Sequence, residues 1–97
     1  MAIVRIRHAP SGPNIGSEAH DSVIKAAHSD TNPPAGLIVH AFGQVDGEWQ
    51  SIDIWESAAA ADQYEKDILP VAQQSYGANH RWPQPNQEYE LHSLVRG

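Results

Sequence analysis

Hydrophobic and polar residues alternate most clearly between Gly36 and Ser57, in the segment GLIVHAFGQVDGEWQSIDIWES. Alternation with a period of two is typical of β-strands, so the segment predicts two strands. Asp46 and Gly47 lie between them and favour a tight turn, because a type I′ loop needs positive φ at both central positions. Folding about this turn predicts three cross-strand pairs: Phe42 with Ser51, His40 with Asp53, and Ile38 with Trp55.

The predicted hairpin has one apolar face and one mixed face. The apolar face consists of Val39, Ala41, Ile52 and Ile54, and we expect helices to cover it. The mixed face places an imidazole opposite a carboxylate among large apolar side chains, and we expect it to point away from the helices. Its members are Ile38, His40, Phe42, Ser51, Asp53 and Trp55. A bulge in either strand would shift the pairing of His40 with Asp53 by one position.

The remaining chain predicts two further strands and two helices. They are a strand over Ala2–His8, a helix over Glu18–His28 capped by Ser17, a helix from Ala58 capped by Ser57, and a strand over Glu88–Val95. Pro70 is expected to break or kink the second helix near Leu69, leaving a short turn over Val71–Tyr76 that Gly77 stops. The proline- and glycine-rich segments 9–17, 29–35 and 78–86 predict loops.

The order β-α-β-β-α-β predicts one α+β domain over residues 1–97 with the ferredoxin-like fold. This fold has a four-stranded antiparallel sheet in the order 4-1-3-2 and both helices on one face. Arg5, Arg7 and His92 would then share the mixed face with His40 and Asp53. Because that face also carries large apolar side chains, we expect a homodimer in which a second sheet buries it.

Composition narrows the class of partner. Twelve acidic against six basic residues give a net charge of −6, which argues against nucleic-acid binding. A hydrophobic content of 40% without a long apolar run argues against membrane insertion, and the first ten residues lack the apolar core of a signal peptide. The absence of cysteine excludes disulfides and thiol nucleophiles and fits a cytoplasmic protein.

The segment WQSIDIWESAAAADQYEKDIL resembles the strand-to-helix segment of the antibiotic biosynthesis monooxygenase-like superfamily of dimeric α+β-barrel proteins. The segments GLIVHAFGQVDGEWQSIDIWES and EYELHSLV are similar to small actinobacterial members. The resemblance covers residues 36–95 and implies a homodimer of facing sheets with a ligand cavity in each protomer. Characterised members include cofactor-independent quinone-forming monooxygenases, haem-degrading enzymes, polyketide cyclases and simple binding proteins. The resemblance therefore implies an architecture more firmly than a reaction.

The chemistry of the mixed face indicates how such a protein would act. A carboxylate such as Asp53 beside His40 fixes the tautomer of the imidazole and raises its basicity, as a general base requires. A flat aromatic substrate would lie against Ile38, Phe42 and Trp55, and Arg5 or Arg7 would stabilise the anion formed on it. His92 is a second candidate for substrate contact, whereas we expect His20 and His28 to be surface residues.

Three classes of function remain open. The first is a small-molecule enzyme without a cofactor, a monooxygenase or cyclase acting on a flat aromatic or polyketide-like substrate. The second is a homodimer that binds such a ligand without turnover. The third is a metal or haem protein with ligands from His40, Asp53 and His92, although no close-spaced metal-binding motif predicts one. The sequence alone identifies neither the substrate nor the product, and it does not indicate whether O₂ takes part in the reaction.

Overall fold

A computed structural model describes residues 1–10, 17–27 and 31–97. Its elements are β1 (Ile3–Pro10), α1 (Ser17–Ala26), β2 (Leu37–Val45), β3 (Glu48–Trp55), α2 (Ala58–Tyr76) and β4 (Gln87–Glu90). The strands form one antiparallel sheet in the order β2-β3-β1-β4, with β1 between β3 and β4. These findings confirm the ferredoxin-like βαββαβ prediction. The predicted end of the first helix at His28, most of the loop 9–17 and the start of the loop 29–35 lie outside the described residues.

The β2–β3 hairpin has the turn that its sequence predicts. Asp46 and Gly47 have φ values of 50° and 79°, as a type I′ turn requires. His40 lies opposite Asp53 and Phe42 opposite Ser51, as predicted. The third predicted pair is wrong by one position, because a bulge at Ile38 places Leu37 opposite Trp55.

The helices cover the mixed face of the sheet, which corrects the prediction that they cover the apolar one. Trp55 is only 4% exposed and packs with Ile3 of β1 and Ala61 of α2. Its ring lies 5.5 Å from that of Tyr64, also on α2. A buried Trp removes more apolar surface from water than any aliphatic residue of the opposite face, which favours this arrangement.

The other face of the sheet is apolar and carries no helix. It is formed by residues that alternate with the buried set: Val4 and Ile6 of β1, Val39 and Ala41 of β2, Ile52 and Ile54 of β3, and Tyr89 of β4. Exposure rises towards the edges of this face, where Val39 is 37% and Tyr89 52% exposed, whereas Val4 at its centre is buried. The homodimer prediction therefore loses its original reason, since the aromatic residues invoked for it lie under the helices.

Helix α2 runs through Pro70 without interruption, which corrects the predicted break near Leu69. Ser57 caps its N-terminus as predicted, since its Oγ accepts a hydrogen bond from the amide of Ala60 at 3.1 Å. On either side of Pro70, the buried residues Ile68 and Ala72 pack with Val23 of α1. This packing outweighs the cost of about 3 kcal/mol that an internal proline imposes on a helix.

Candidate functional site

A cavity of about 530 Å³ lies between the mixed face of the sheet and the two helices. This volume is in the range of small-molecule sites. Apolar and aromatic side chains form most of its wall: Val23 and Ile24 of α1, Leu37, Ile38 and Phe42 of β2, Trp55 of β3, and Tyr64, Ile68 and Tyr76 of α2, with Trp82 of the following loop. The polar lining is formed by Arg7, His20, His40, Ser51, Asp53 and Glu65. A mainly apolar wall with a few polar groups suits an aromatic ligand.

His40 and Asp53 line this cavity and are in hydrogen-bond contact through Nδ1 of the ring and Oδ1 of the carboxylate, at a part of the wall where the side chain of His40 is 29% exposed. The register of the hairpin predicted this contact. The prediction placed it on the open face of the sheet, whereas the structure places it on the face that the helices cover. The carboxylate accepts only, so it selects the tautomer of His40 with the proton on Nδ1. Nε2 is then the ring nitrogen that can exchange a proton with another group.

His20 of α1 belongs to the same site, which corrects the prediction that it is a surface residue. Its Nε2 lies 2.8 Å from Nε2 of His40, and its Nδ1 lies 3.1 Å from Oδ1 of Asp21. Its ring stacks on Phe42 with a centroid distance of 4.1 Å. The spacing of His20, Val23 and Ile24 is that of one helix face, and this pattern would have placed His20 towards the core.

The two arginines of β1 have different roles. Arg5 is 7% exposed and does not line the cavity, because its guanidinium forms ion pairs with Asp62 and Glu65 of α2 at 2.9 and 3.3 Å and with Glu88 of β4 at 3.4 Å. Burial lowers the pKa of Arg5, but the three carboxylates more than offset it, and the pKa is raised overall. Arg5 is therefore a structural residue, and its predicted place in substrate binding is wrong.

Arg7 does line the cavity, where its Nη2 lies 2.7 Å from Oε1 of Glu65. Its Nε also donates to the carbonyl of Pro83 at 3.0 Å. The indole of Trp82 donates to the carbonyl of Glu65 at 2.6 Å. These bonds hold the loop after α2 against one end of the cavity.

Beside Trp82, the loop residue His80 packs between two aromatic rings. Its ring centroid is 4.8 Å from that of Tyr76 and 5.0 Å from that of Trp82. Burial, with a smaller contribution from the charge of Arg81, lowers the pKa of His80. Burial also raises the pKa of Tyr76. Burial thus favours the neutral form of each group at this end of the cavity.

The structure brings together most of the residues predicted from the sequence. His40, Asp53, Ile38, Phe42, Trp55 and Arg7 line one cavity, as their shared face required. His92 does not, because β4 ends at Glu90 and His92 lies beyond it as an exposed residue. The ligand set His40, Asp53 and His92 is therefore not assembled. In the described ranges 1–10, 17–27 and 31–97, no group of three or more histidine and acidic side chains is placed to hold a metal ion.

Comparisons with known proteins identify the fold and leave the activity open. No protein-family model matches the chain, and no match was found among curated proteins. The chain is similar in structure to a conserved protein from Methanosarcina mazei Go1, with a TM-score of 0.59 and 16% sequence identity over 92% of this chain and 91% of that one. Within the described residues, no helix is both long enough and apolar enough to cross a membrane.

Proposed function

We propose that this protein binds a flat, mainly apolar small molecule in the cavity and that His40, held by Asp53, acts on it as a general base. The observation that carries the proposal is the contact of this imidazole with a carboxylate inside a cavity walled by aromatic rings. A general base needs a fixed tautomer and a nitrogen within reach of the substrate. Asp53 supplies the first requirement and the position of His40 on the cavity wall supplies the second.

The reaction we propose is a cofactor-independent monooxygenation, in line with the resemblance described above. His40 removes a proton from an activated CH₂ or phenol group, which leaves an electron-rich anion near Trp55 and Arg7. The anion reacts with O₂ to form a peroxide, and loss of water from the peroxide leaves a carbonyl. Overall, CH₂ and O₂ give C=O and H₂O, so the balance needs no external reductant. In a polyketide cyclase the same anion would attack a carbonyl of its own chain instead.

A second function, ligand binding without turnover, is favoured by one observation. Both ring nitrogens of His40 already have partners, Asp53 at Nδ1 and His20 at Nε2. A base acts only through a free lone pair, so this arrangement must open before His40 can accept a proton from a substrate. A binding protein has no such requirement.

Binding and oxygen consumption measured together separate these functions. We would titrate polycyclic phenols and anthrone-type ketones against tryptophan fluorescence, since Trp55 and Trp82 line the cavity, and follow O₂ uptake and product mass. His40→Gln should lower turnover by about 10²–10⁴-fold, the usual contribution of a general base, while changing the dissociation constant little. Gln63→Ala, an exposed position on α2, is the matched control.

Each outcome of these measurements selects one function. Turnover that requires O₂ and His40 supports the monooxygenase. An isomer of unchanged mass formed without O₂ supports a cyclase, and binding with no product supports the binding protein. If no compound quenches the fluorescence of the wild-type protein, the cavity is not a site for this class of ligand.

We also propose that a second copy of the chain covers the apolar face of the sheet. Each large apolar side chain buried there contributes about 1.5–3 kcal/mol. The face carries no charged group around Val4 and Ile54, and Val39 and Tyr89 towards its edges are 37% and 52% exposed, so a second copy can pack against it. Wild-type protein should sediment as a dimer and Ile54→Arg as a monomer, whereas Gln63→Arg on the exposed side of α2 should remain a dimer. A wild-type monomer at micromolar concentration would disprove this assembly.

A further inference from the structure

The rings of His20 and His40 meet edge to edge in one line. Their Nε2 atoms are 2.8 Å apart, their centroids 5.0 Å apart, and their planes differ by only 12°. The centroid separation is close to the distance between the nitrogens plus the two ring radii. Both nitrogens therefore lie on the line that joins the ring centres, and their lone-pair directions point at each other.

Two unprotonated Nε2 atoms in this arrangement would repel each other, so an electrophile must lie between them. A metal ion does not fit, because half of the 2.8 Å separation is 1.4 Å, whereas Zn–N bonds are about 2.0–2.1 Å long. A hydrogen-bonded proton does fit, since 2.8 Å is an ordinary length for a bond from a nitrogen donor, and such bonds prefer a linear geometry.

The contacts of the other two ring nitrogens favour an additional proton over a neutral tautomer. Nδ1 of His40 donates to Asp53, and Nδ1 of His20 faces Asp21 at 3.1 Å. Each ring thus keeps one proton for its own carboxylate, and a proton between the Nε2 atoms gives the pair a positive charge. The face of Phe42, 4.1 Å below His20, also favours a cation there.

Groups from the other elements around the cavity do not oppose this charge. Asp53 of β3 attracts it directly. Arg7 of β1 is the cation that lines the cavity from the neighbouring strand, and Glu65 of α2 neutralises it at 2.7 Å. Tyr64 and Tyr76 of α2, the remaining titratable groups of the lining, are neutral when protonated.

We propose that His20 and His40 share one proton and serve together as the acid–base group of the cavity. This inference rests on the proposed function and adds His20 to it as a positioning residue that acts through His40. With the shared proton absent, the contact between the two rings opens and Nε2 of His40 accepts the proton of the substrate, after which His20 closes on that proton through a hydrogen bond. The cation so formed lies beside the substrate anion that the same step creates.

The experiment measures the two rings directly and needs no ligand. Histidine labelled with ¹⁵N in the full chain reports, through long-range ¹H–¹⁵N spectra, which nitrogens carry protons at each pH. We expect proton-bearing Nδ1 atoms in both rings and Nε2 signals of intermediate shift that move together as the pH changes. In His20→Phe, which retains the stacking on Phe42, the Nε2 signal of His40 should move by itself and lose its intermediate shift.

A second variant and a control complete the design. His20→Gln can still donate a hydrogen bond to His40 but cannot exchange a proton, so the joint movement of the signals should again be lost. His8→Gln, at an exposed histidine outside the cavity, should leave both signals unchanged. Identical His40 spectra in wild type and both His20 variants would overturn the proposal, as would tight Zn²⁺ binding that involves both rings. Absence of turnover, in contrast, would refute the proposed function and leave the shared proton intact.

Discussion

Replacing Arg5 by methionine tests whether the buried ion pairs between the sheet and α2 stabilise the fold. Methionine retains an unbranched apolar side chain in the space that the stem of Arg5 fills. It removes the guanidinium of a side chain that is 8% exposed, donates hydrogen bonds to Asp62 and Glu65, and forms an ion pair with Glu88. The change therefore isolates the charged hydrogen bonds from the packing.

The partners of Arg5 set the size of the effect. Without Arg5, the carboxylate of Asp62 can be hydrated, because its side chain is 66% exposed. Glu65 is 20% exposed, but its carboxylate still has Arg7 as a partner at 2.7 Å. Removing one partner of a fully buried pair costs about 3–5 kcal/mol, and a hydrogen bond to a charged group contributes about 1.5–3 kcal/mol. Because Glu88 is 41% exposed as well, none of the three carboxylates is left both buried and unpaired, and we expect Arg5→Met to lower the free energy of unfolding by about 2–3 kcal/mol.

Urea unfolding followed by circular dichroism at pH 7 measures this difference, and the two carboxylates provide internal controls. Glu65→Gln should cost more than Asp62→Asn, since Glu65 is bonded to both arginines of β1. A loss of about 2–3 kcal/mol lowers the melting temperature by roughly 10–20 °C in a domain of this size. Arg5→Met as stable as wild type, or Asp62→Asn more costly than Glu65→Gln, would refute the reasoning.

Further predictions concern packing, pH and backbone strain. Ile68→Ala should lower the free energy of unfolding by about 2–5 kcal/mol, because it leaves a cavity between the helices; Ile54→Ala, on the apolar face, should mainly weaken dimerisation, as sedimentation would show. The lowered pKa of His80 means that the fold favours its neutral form, so wild type should lose stability as the pH falls below about 6.5. His80→Gln should lack this part of the loss when urea midpoints are compared at several pH values. Gly36 and Gly47 both have positive φ, at +85° and +79°, so alanine is strained at either position. In Gly36→Ala the new Cβ would also lie 2.6 Å from the Cβ of Ala60 in α2, whereas in Gly47→Ala no atom lies within 4 Å of it. Thermal melts should therefore show the larger loss of stability for Gly36→Ala.

The sequence was sufficient to predict the sheet and the contact of His40 with Asp53. Both follow from local geometry, since Asp46-Gly47 determines the turn and the turn determines the register of the flanking strands. It was not sufficient to predict which face the helices cover. Alternation shows which residues share a face, but both faces of this sheet carry large apolar side chains. The choice depends on partners distant in the chain, such as Tyr64 against Trp55 and Glu65 against Arg5.

The errors along the helices have the same origin. Pro70 disfavours a helix locally, yet the packing of Ile68 and Ala72 against α1 keeps α2 continuous. His20 has the polarity of a surface residue, but its spacing from Val23 and Ile24 puts it on the inward face of α1, where its ring contacts Phe42 and His40. The site predicted on an open sheet face therefore lies beneath the helices instead, and most of the residues predicted for it line one cavity there. What the sequence could not supply is the helix layer that closes the cavity and adds His20 to it.

The bulge at Ile38 has a consequence for the evolution of the chain. In β3, alternate residues serve opposite faces, so the loss of one residue would exchange Asp53 and Ile54 between the cavity and the apolar face. In β2, Ile38 is the extra residue of the bulge and has no partner in β3. Its deletion would restore regular pairing and leave His40 opposite Asp53. Descendants of this sequence can therefore change the length of β2 near the cavity, while β3 must keep its length.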